Sequence, residues 1–187
     1  MLEIEIKFPI PEFSSLERAL GDYGVRQTAA LEEADHYFNA PDRDFARTDE
    51  ALRLRRVGAA NFVTYKGPKR DAQTKTRTEI EVPLANGDAV ASDFMQILQH
   101  LGYRPVAVVR KRRRIFQLER DGYAVEICLD ELDELGRFAE LEIVAPEDRL
   151  EEGRAVLLRL ATELGLTVSE RRSYLELLLA KRGERPA

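Results

Sequence analysis

The sequence predicts an α+β protein, an eight-stranded antiparallel β-barrel that forms a tunnel with a charged lumen and carries helices on its outside. Three observations lead there. Period-two alternation of apolar and charged residues recurs along the chain. Segments with helical spacing and recognisable stops lie between and after the alternating stretches. The polar side of the alternation is almost purely Glu, Asp, Arg and Lys, where a solvated face would mix in Ser, Thr, Asn and Gln.

In residues 2–8, Leu2, Ile4, Ile6 and Phe8 share one face while Glu3, Glu5 and Lys7 share the other. Pro11-Glu12-Phe13 then opens a helix with Phe13, Leu16, Leu20 and Tyr23 at three-to-four spacing, stopped by Gly24. Short strands are expected at 36–39, at Leu52-Arg53-Leu54-Arg55 and at 61–66. The stretch 67–76 is polar, opens on Gly-Pro and is rich in Lys and Arg, so it predicts a mobile loop. Residues 77–82 alternate again and put Arg77, Glu79 and Glu81 together. A helix over 88–101 would bury Val90, Phe94, Ile97, Leu98 and Leu101, with Gly102 behind it as a cap. Strands follow at 106–118, 126–130 and 140–143, then a helix over 147–164 that ends at Gly165. Ser173-Tyr174-Leu175-Glu176 fits a capping box and starts a last helix that stops before Gly183.

Composition bounds the function. A length of 187 residues fits a single domain over 1–187. With 44% hydrophobic and 34% charged residues the chain is expected to fold rather than stay disordered. No apolar run is long enough for a transmembrane helix, and the first strand begins at once, leaving no room for a signal peptide. The single cysteine, Cys128, suits a reducing cytoplasm. Net charge is −5, from 29 basic and 34 acidic residues, which disfavours general binding to nucleic acid or an anionic membrane. The run 110–114 is Arg-Lys-Arg-Arg-Arg, but on a strand Lys111 and Arg113 face one way and the other three face the opposite way. His36 and His100 fit a strand edge and a helix surface. Cys128 fits a small filler rather than a thiolate nucleophile.

About eight antiparallel strands can close a barrel that holds side chains and one small ligand. With helices on the apolar face, the charged face would line the interior. That lumen would collect Lys7, Arg53, Arg55, Lys66, Arg77, Lys111 and Arg113, with Glu3, Glu5, Glu79, Glu81, Glu126, Asp130, Glu140 and Glu142. Confining so many charges is costly unless they are paired or bind ions. Converging Arg and Lys match a polyphosphate, since Arg grips phosphate oxygens in a fork and Lys acts as a point charge. Paired carboxylates match Mg²⁺ or Mn²⁺, hard cations that prefer oxygen ligands.

Glu3-x-Glu5-x-Lys7 resembles the ExExK signature of the CYTH superfamily, the triphosphate tunnel metalloenzymes. The series continues in the family's order through Tyr37-Phe38, Arg53-x-Arg55, Thr64-Tyr65-Lys66-Gly67, Arg77-x-Glu79-x-Glu81, Lys111-x-Arg113, Asp130, Glu140-x-Glu142 and Ser173-Tyr174. The branch it most resembles is the one named for class IV adenylyl cyclases. One departure is that only Met1-Leu2 precede Glu3, where some of those cyclases carry a His-Phe pair. The resemblance implies metal binding by Glu3, Glu5, Glu140 and Glu142, with Asp130 and Glu81 as helpers. It also implies a triphosphate cradle of Lys7, Arg53, Arg55, Lys66, Lys111 and Arg113, with Arg77 and Tyr174 beside the substrate, and it is compatible with a homodimer. Glu5, Lys7, Lys66 and Lys111 are the expected catalytic residues. Two chemistries fit such a cradle: cyclisation of ATP to cyclic AMP and pyrophosphate, or hydrolysis of inorganic or thiamine triphosphate. A non-catalytic nucleotide- or polyphosphate-binding module is the third reading.

Overall fold

The structure, a computed structural model, describes residues 2–70 and 76–184. In chain order its elements are β1 (Leu2–Ile10), α1 (Ser14–Asp22), β2 (Gln27–Asn39), α2 (Phe45–Thr48), β3 (Ala51–Val57), β4 (Ala60–Lys66) and β5 (Glu79–Leu84). After these come α3 (Asp88–His100), β6 (Arg104–Arg120), β7 (Tyr123–Leu132) and β8 (Gly136–Ala145). A 3₁₀ turn (Glu147–Arg149), α4 (Leu150–Glu163) and α5 (Tyr174–Arg182) complete the described chain. The expected α+β class with eight strands is the one observed. The strands follow the order β1-β8-β7-β6-β2-β3-β4-β5, and the pairs β1–β8, β8–β7, β7–β6, β2–β3, β3–β4 and β4–β5 are antiparallel. Among the described residues no helix is long and apolar enough to cross a membrane.

The chain divides into two compact units, one of residues 1–31, 69–77 and 112–171, the other of residues 32–68, 78–111 and 172–187. Strands β2 and β6 contribute residues to both.

In the first unit the apolar half of the alternation forms the core. Register sets Ile4 opposite Ile143 and Ile6 opposite Leu141, and Ile127 also meets Leu141. Helix α1 adds Leu16 and Leu20 to this layer, and α4 adds Val156, Leu157, Leu160 and Ala161. Fully burying one such aliphatic side chain contributes about 1.5–3 kcal/mol, so this layer fixes which face of the sheet is left for charge. Gly153 of α4 sits where an added Cβ would meet Ile4 Cδ1 at 3.0 Å, so the helix lies close against β1 there.

In the second unit Phe38, Leu54, Ala91 and Leu98 make a smaller core, with Leu52, Val63, Phe94 and Met95 packed against it. The stripe of α3 that packs inward is therefore Ala91, Phe94, Met95 and Leu98. Ile97 and Leu101, expected inside, are 54% and 64% exposed, because the inward stripe runs one position out of phase with them. The expected capping box at Ser173 is present: its hydroxyl accepts from the Glu176 amide at 3.1 Å, and its own amide donates to Glu176 Oε2 at 2.6 Å. Gly183 then ends α5 at φ 68°.

Other differences have local causes. Strand β2 starts at Gln27 rather than near residue 36. Its first half is rich in Ala and Glu, which favour helix in isolation and give no bulky apolar alternation. Arg77 lies outside β5 and forms an isolated antiparallel bridge with Glu3 in the first unit, whereas Glu79 and Glu81 begin β5 in the second. Of the expected mobile loop 67–76, residues 71–75 lie outside the described residues; its ends are joined by Gly67 N–H donating to the Thr78 carbonyl at 2.9 Å.

Candidate functional site

Each unit turns one charged face away from its apolar core. In the first unit β1, β8, β7 and β6 supply it. Glu5 is opposite Glu142 and Lys7 opposite Glu140. Glu126 is also opposite Glu142, Cys128 opposite Glu140, and Arg113 opposite Asp130. Directly opposed like charges destabilise a sheet, so the stack of Glu5, Glu142 and Glu126 is a cost that a structural role alone does not explain.

Oxygens of Glu3, Glu5 and Glu142 lie within 4.8 Å of one another. Burial first, and then the neighbouring charges of Glu3, Glu140 and Glu5, push the Glu142 carboxyl well above its ordinary range, although Arg113 pulls the other way. A trio of oxygen donors, with Glu5 buried and Glu3 and Glu142 half-buried, in which Glu142 resists ionisation, suits a hard divalent cation, which would hold all three in the charged form. A cavity of about 730 Å³ reaches Glu3 and Glu142 of the trio and is lined also by Glu126, Gln117, Tyr123 and Arg149. That volume is in the range of small-molecule sites.

The other expected acids of this unit are differently engaged. Arg113 donates through Nε to Asp130 Oδ1 at 2.7 Å and through Nη2 to Asp130 Oδ2 at 2.6 Å. It also bonds Glu140 and lies 3.7 Å from Glu142 Oε1. Asp130 and Glu140 thus hold the guanidinium, while Glu3, Glu5 and Glu142 form the close carboxylate group. Lys7 is buried, with Nζ 5.6 Å from the centre of the Phe138 ring. Cys128 lies between the acids at 3.5 Å from Glu126 Oε1. Burial, with Glu142, Asp130 and Glu126 adding to it, pushes its thiol far up despite Arg113, so it is no thiolate nucleophile.

The second unit presents the cations. Arg53 and Arg55 from β3, Lys66 from β4 and Lys111 from β6 are joined by acids of β2 and β5. Lys66 pairs with Glu79, and Lys111 Nζ lies 3.3 Å from Glu33 and 5.4 Å from the centre of the Tyr174 ring. Glu81 belongs here rather than with the carboxylate trio: it accepts from the Thr64 hydroxyl at 2.8 Å and lies 3.8 Å from Arg53. Lys111 and Arg113 are buried while Arg110 and Arg112 are exposed, as the alternation of the basic run predicts.

Two acids of this face, Glu33 and Asp35, have no place in the sequence reading, and Thr64 stands there in a motif without a role of its own. Asp35 is 3% exposed and Glu33 is 6% exposed. The signal for the first two was present as Glu33-x-Asp35-x-Tyr37, an alternation hidden by the alanines beside it.

A CYTH domain family model matches residues 1–174. MJ0240 of Methanocaldococcus jannaschii, whose name gives it as a candidate adenylate cyclase, is 38% identical over 181 residues, 95% of this chain and 98% of its own. Adenylate cyclase CyaB of Aeromonas hydrophila is 31% identical over 180 residues, 92% of this chain and 86% of its own. Among solved structures, the PH1819 protein of Pyrococcus horikoshii is similar at a TM-score of 0.84 and 37% identity, over 96% of this chain and 99% of that one.

Proposed function

Because the chain belongs to the CYTH family, we propose that it is a metal-dependent enzyme acting on a triphosphate-bearing small molecule, with ATP cyclisation as its reaction. The observation that carries the triphosphate reading is the division of charge chemistry. Glu3, Glu5 and Glu142 supply oxygen ligands for Mg²⁺ or Mn²⁺, and Arg53, Arg55, Lys66 and Lys111 supply donors for phosphate oxygens. The cyclase reading is supported by the names of the two relatives, each similar over nearly its whole length.

The bound metal would supply charge neutralisation on the phosphate oxygens and polarisation of the reacting phosphorus. The chain's own part is positioning. Arg53 and Arg55 present guanidinium forks, and Lys66 and Lys111 present point charges, so the triphosphate is held extended with its α-phosphorus oriented for in-line attack. The 3′-oxygen forms a bond to the α-phosphorus and releases its proton to solvent water, while the bond to the bridging oxygen breaks and pyrophosphate departs with that bond's electron pair. Lys7 and Arg113, both buried on the carboxylate face, offset negative charge that grows on oxygens in the transition state. Tyr174 stacks its ring against Lys111 and limits the directions in which that ammonium can point.

Incubation of the purified protein with ATP, inorganic triphosphate and thiamine triphosphate, each with Mg²⁺ or Mn²⁺, tests the proposal. The expected products from ATP are cyclic AMP and pyrophosphate. Orthophosphate release without cyclic AMP would replace cyclisation by triphosphate hydrolysis. Tight binding of all three without turnover would reduce the protein to a binding module.

A further inference from the structure

Arg53 and Arg55 lie two residues apart on β3, so both side chains project from one face, about 7 Å apart along the strand. Two guanidinium groups that close repel one another, and each would swing away from its neighbour unless an anion stood between them. Asp35 stands there. It faces Arg55 across the β2–β3 register. Its Oδ1 accepts from Arg55 Nε at 2.7 Å, and its Oδ2 accepts from Arg55 Nη2 at 2.8 Å and from Arg53 Nη1 at 3.1 Å. Two residues earlier on the same strand, Glu33 Oε2 lies 3.1 Å from Arg55 Nη2 and 3.3 Å from Lys111 Nζ. A single acidic edge of β2 thus joins three cations drawn from two other strands.

The clamp is directional. Arg55 spends its Nε and Nη2 on the two acids, while its Nη1 has no hydrogen-bond acceptor among the described residues. Arg53 is held on its other side by Nε donating to Thr64 Oγ1 at 3.2 Å. Burial would raise the Asp35 carboxyl, but Arg53 and Arg55 hold it far below the usual carboxylate range, so it is a permanent anion. We infer that Asp35, assisted by Glu33, is a positioning residue: it fixes the planes of Arg53 and Arg55 so that Arg55 Nη1 is presented to a phosphate oxygen. The inference rests on the triphosphate reading above, and it assigns to β2 a part that neither the expected cradle nor the expected metal ligands include.

The sign of the effect separates this role from a structural one. Asp35→Asn keeps the shape but removes one negative charge from a face that must accept a polyanion. Affinity for the anion should hold or tighten, while the loosened guanidinium groups lose alignment in the transition state. The expected result is a kcat lower by roughly 10–100-fold, with KM unchanged or reduced. Glu33→Gln, which leaves Asp35 in place, should lower kcat by roughly several-fold, again without raising KM. It keeps the test open if Asp35→Asn does not fold.

Calorimetric binding of inorganic tripolyphosphate to the wild-type protein with Mn²⁺ comes first. Absence of binding would sink the triphosphate reading itself. With binding established, turnover of the preferred substrate is measured for wild type, Asp35→Asn and Glu33→Gln. A kcat within about twofold of wild type, or a KM that rises in step with the loss of kcat, would overturn the positioning role and leave the triphosphate reading intact.

Discussion

Glu5→Gln lowers turnover of the triphosphate substrate by roughly 10³-fold or more and makes the metal-free protein more heat-stable. Glutamine has nearly the shape of glutamate, so the exchange removes charge from a 6%-exposed position without opening a cavity. It takes one anionic oxygen from the trio with Glu3 and Glu142. A bound metal contributes several kcal/mol of transition-state stabilisation, and each 1.36 kcal/mol is tenfold in rate. The gain in stability follows from the same geometry. Glu142 is pushed up by burial and by the charges of Glu3, Glu140 and Glu5, so removing the Glu5 charge relieves it.

A pH dependence of known sign goes with this. Because the folded-state value of Glu142 is raised, its contribution to stability is complete below the ordinary glutamate range and is lost as pH rises through the raised value. Metal-free wild type should therefore lose melting temperature as pH rises, and Glu5→Gln should lose less. Rates from steady-state assays and melting curves at several pH values check both halves. Near-normal rates for Glu5→Gln would place the metal site elsewhere.

Arg113→Met should cost about 3–5 kcal/mol of stability, the largest single loss expected from any residue of the charged faces. The Asp130 side chain is fully buried and that of Glu140 is 5% exposed, and both pair with this guanidinium. Methionine fills much of the volume but donates no hydrogen bond, so two buried carboxylates lose their charge-assisted bonds to this guanidinium. For a chain of this length that loss is a fall in melting temperature of roughly 6–20 °C. Adding Asp130→Asn to Arg113→Met should recover part of it by removing one of the two buried negative charges that faced the guanidinium. Urea denaturation of the two variants measures the effect, and an Arg113→Met midpoint equal to wild type would mean that the pairing contributes nothing net.

Much of the fold was legible because alternation and helical spacing are written locally. Leu2 to Phe8 announces both faces of β1, and Ser173 with Glu176 announces the start of α5. Where the local pattern is weak, tertiary packing decides. The first half of β2 offers Ala29, Ala30 and Ala34 in place of large apolar residues, so its extended conformation comes from its neighbours rather than from its own preference. That concealed Glu33 and Asp35. The phase of α3 was ambiguous for a related reason: Ile97 and Leu101 are as apolar as Leu98, and only the position of Phe38 and Leu54 selects the stripe that is buried.

In the site, alternation indicates which side chains share a face but not which of them touch. Glu5 meets Glu142 because β1 and β8 pair in one register, and a slip of one residue would turn every glutamate of β8 to the apolar side. No short motif encodes that register. It is set by Ile4, Ile6, Leu141 and Ile143 meeting under α4. For the same reason the division of the acids, three in the close trio and two holding Arg113, was not visible beforehand.

The central proposal is that the cations of β3 bind a triphosphate and the carboxylates of β1 and β8 bind a divalent metal. Titration of inorganic tripolyphosphate into wild type, Arg55→Ala and Glu5→Gln, each with and without Mn²⁺, tests it most directly. Wild type should bind with Mn²⁺. Arg55→Ala should bind roughly 10–100-fold more weakly, the worth of one or two charge-assisted hydrogen bonds, and Glu5→Gln should lose the enhancement that Mn²⁺ gives. Binding by both variants that matches wild type with and without the metal would contradict the account.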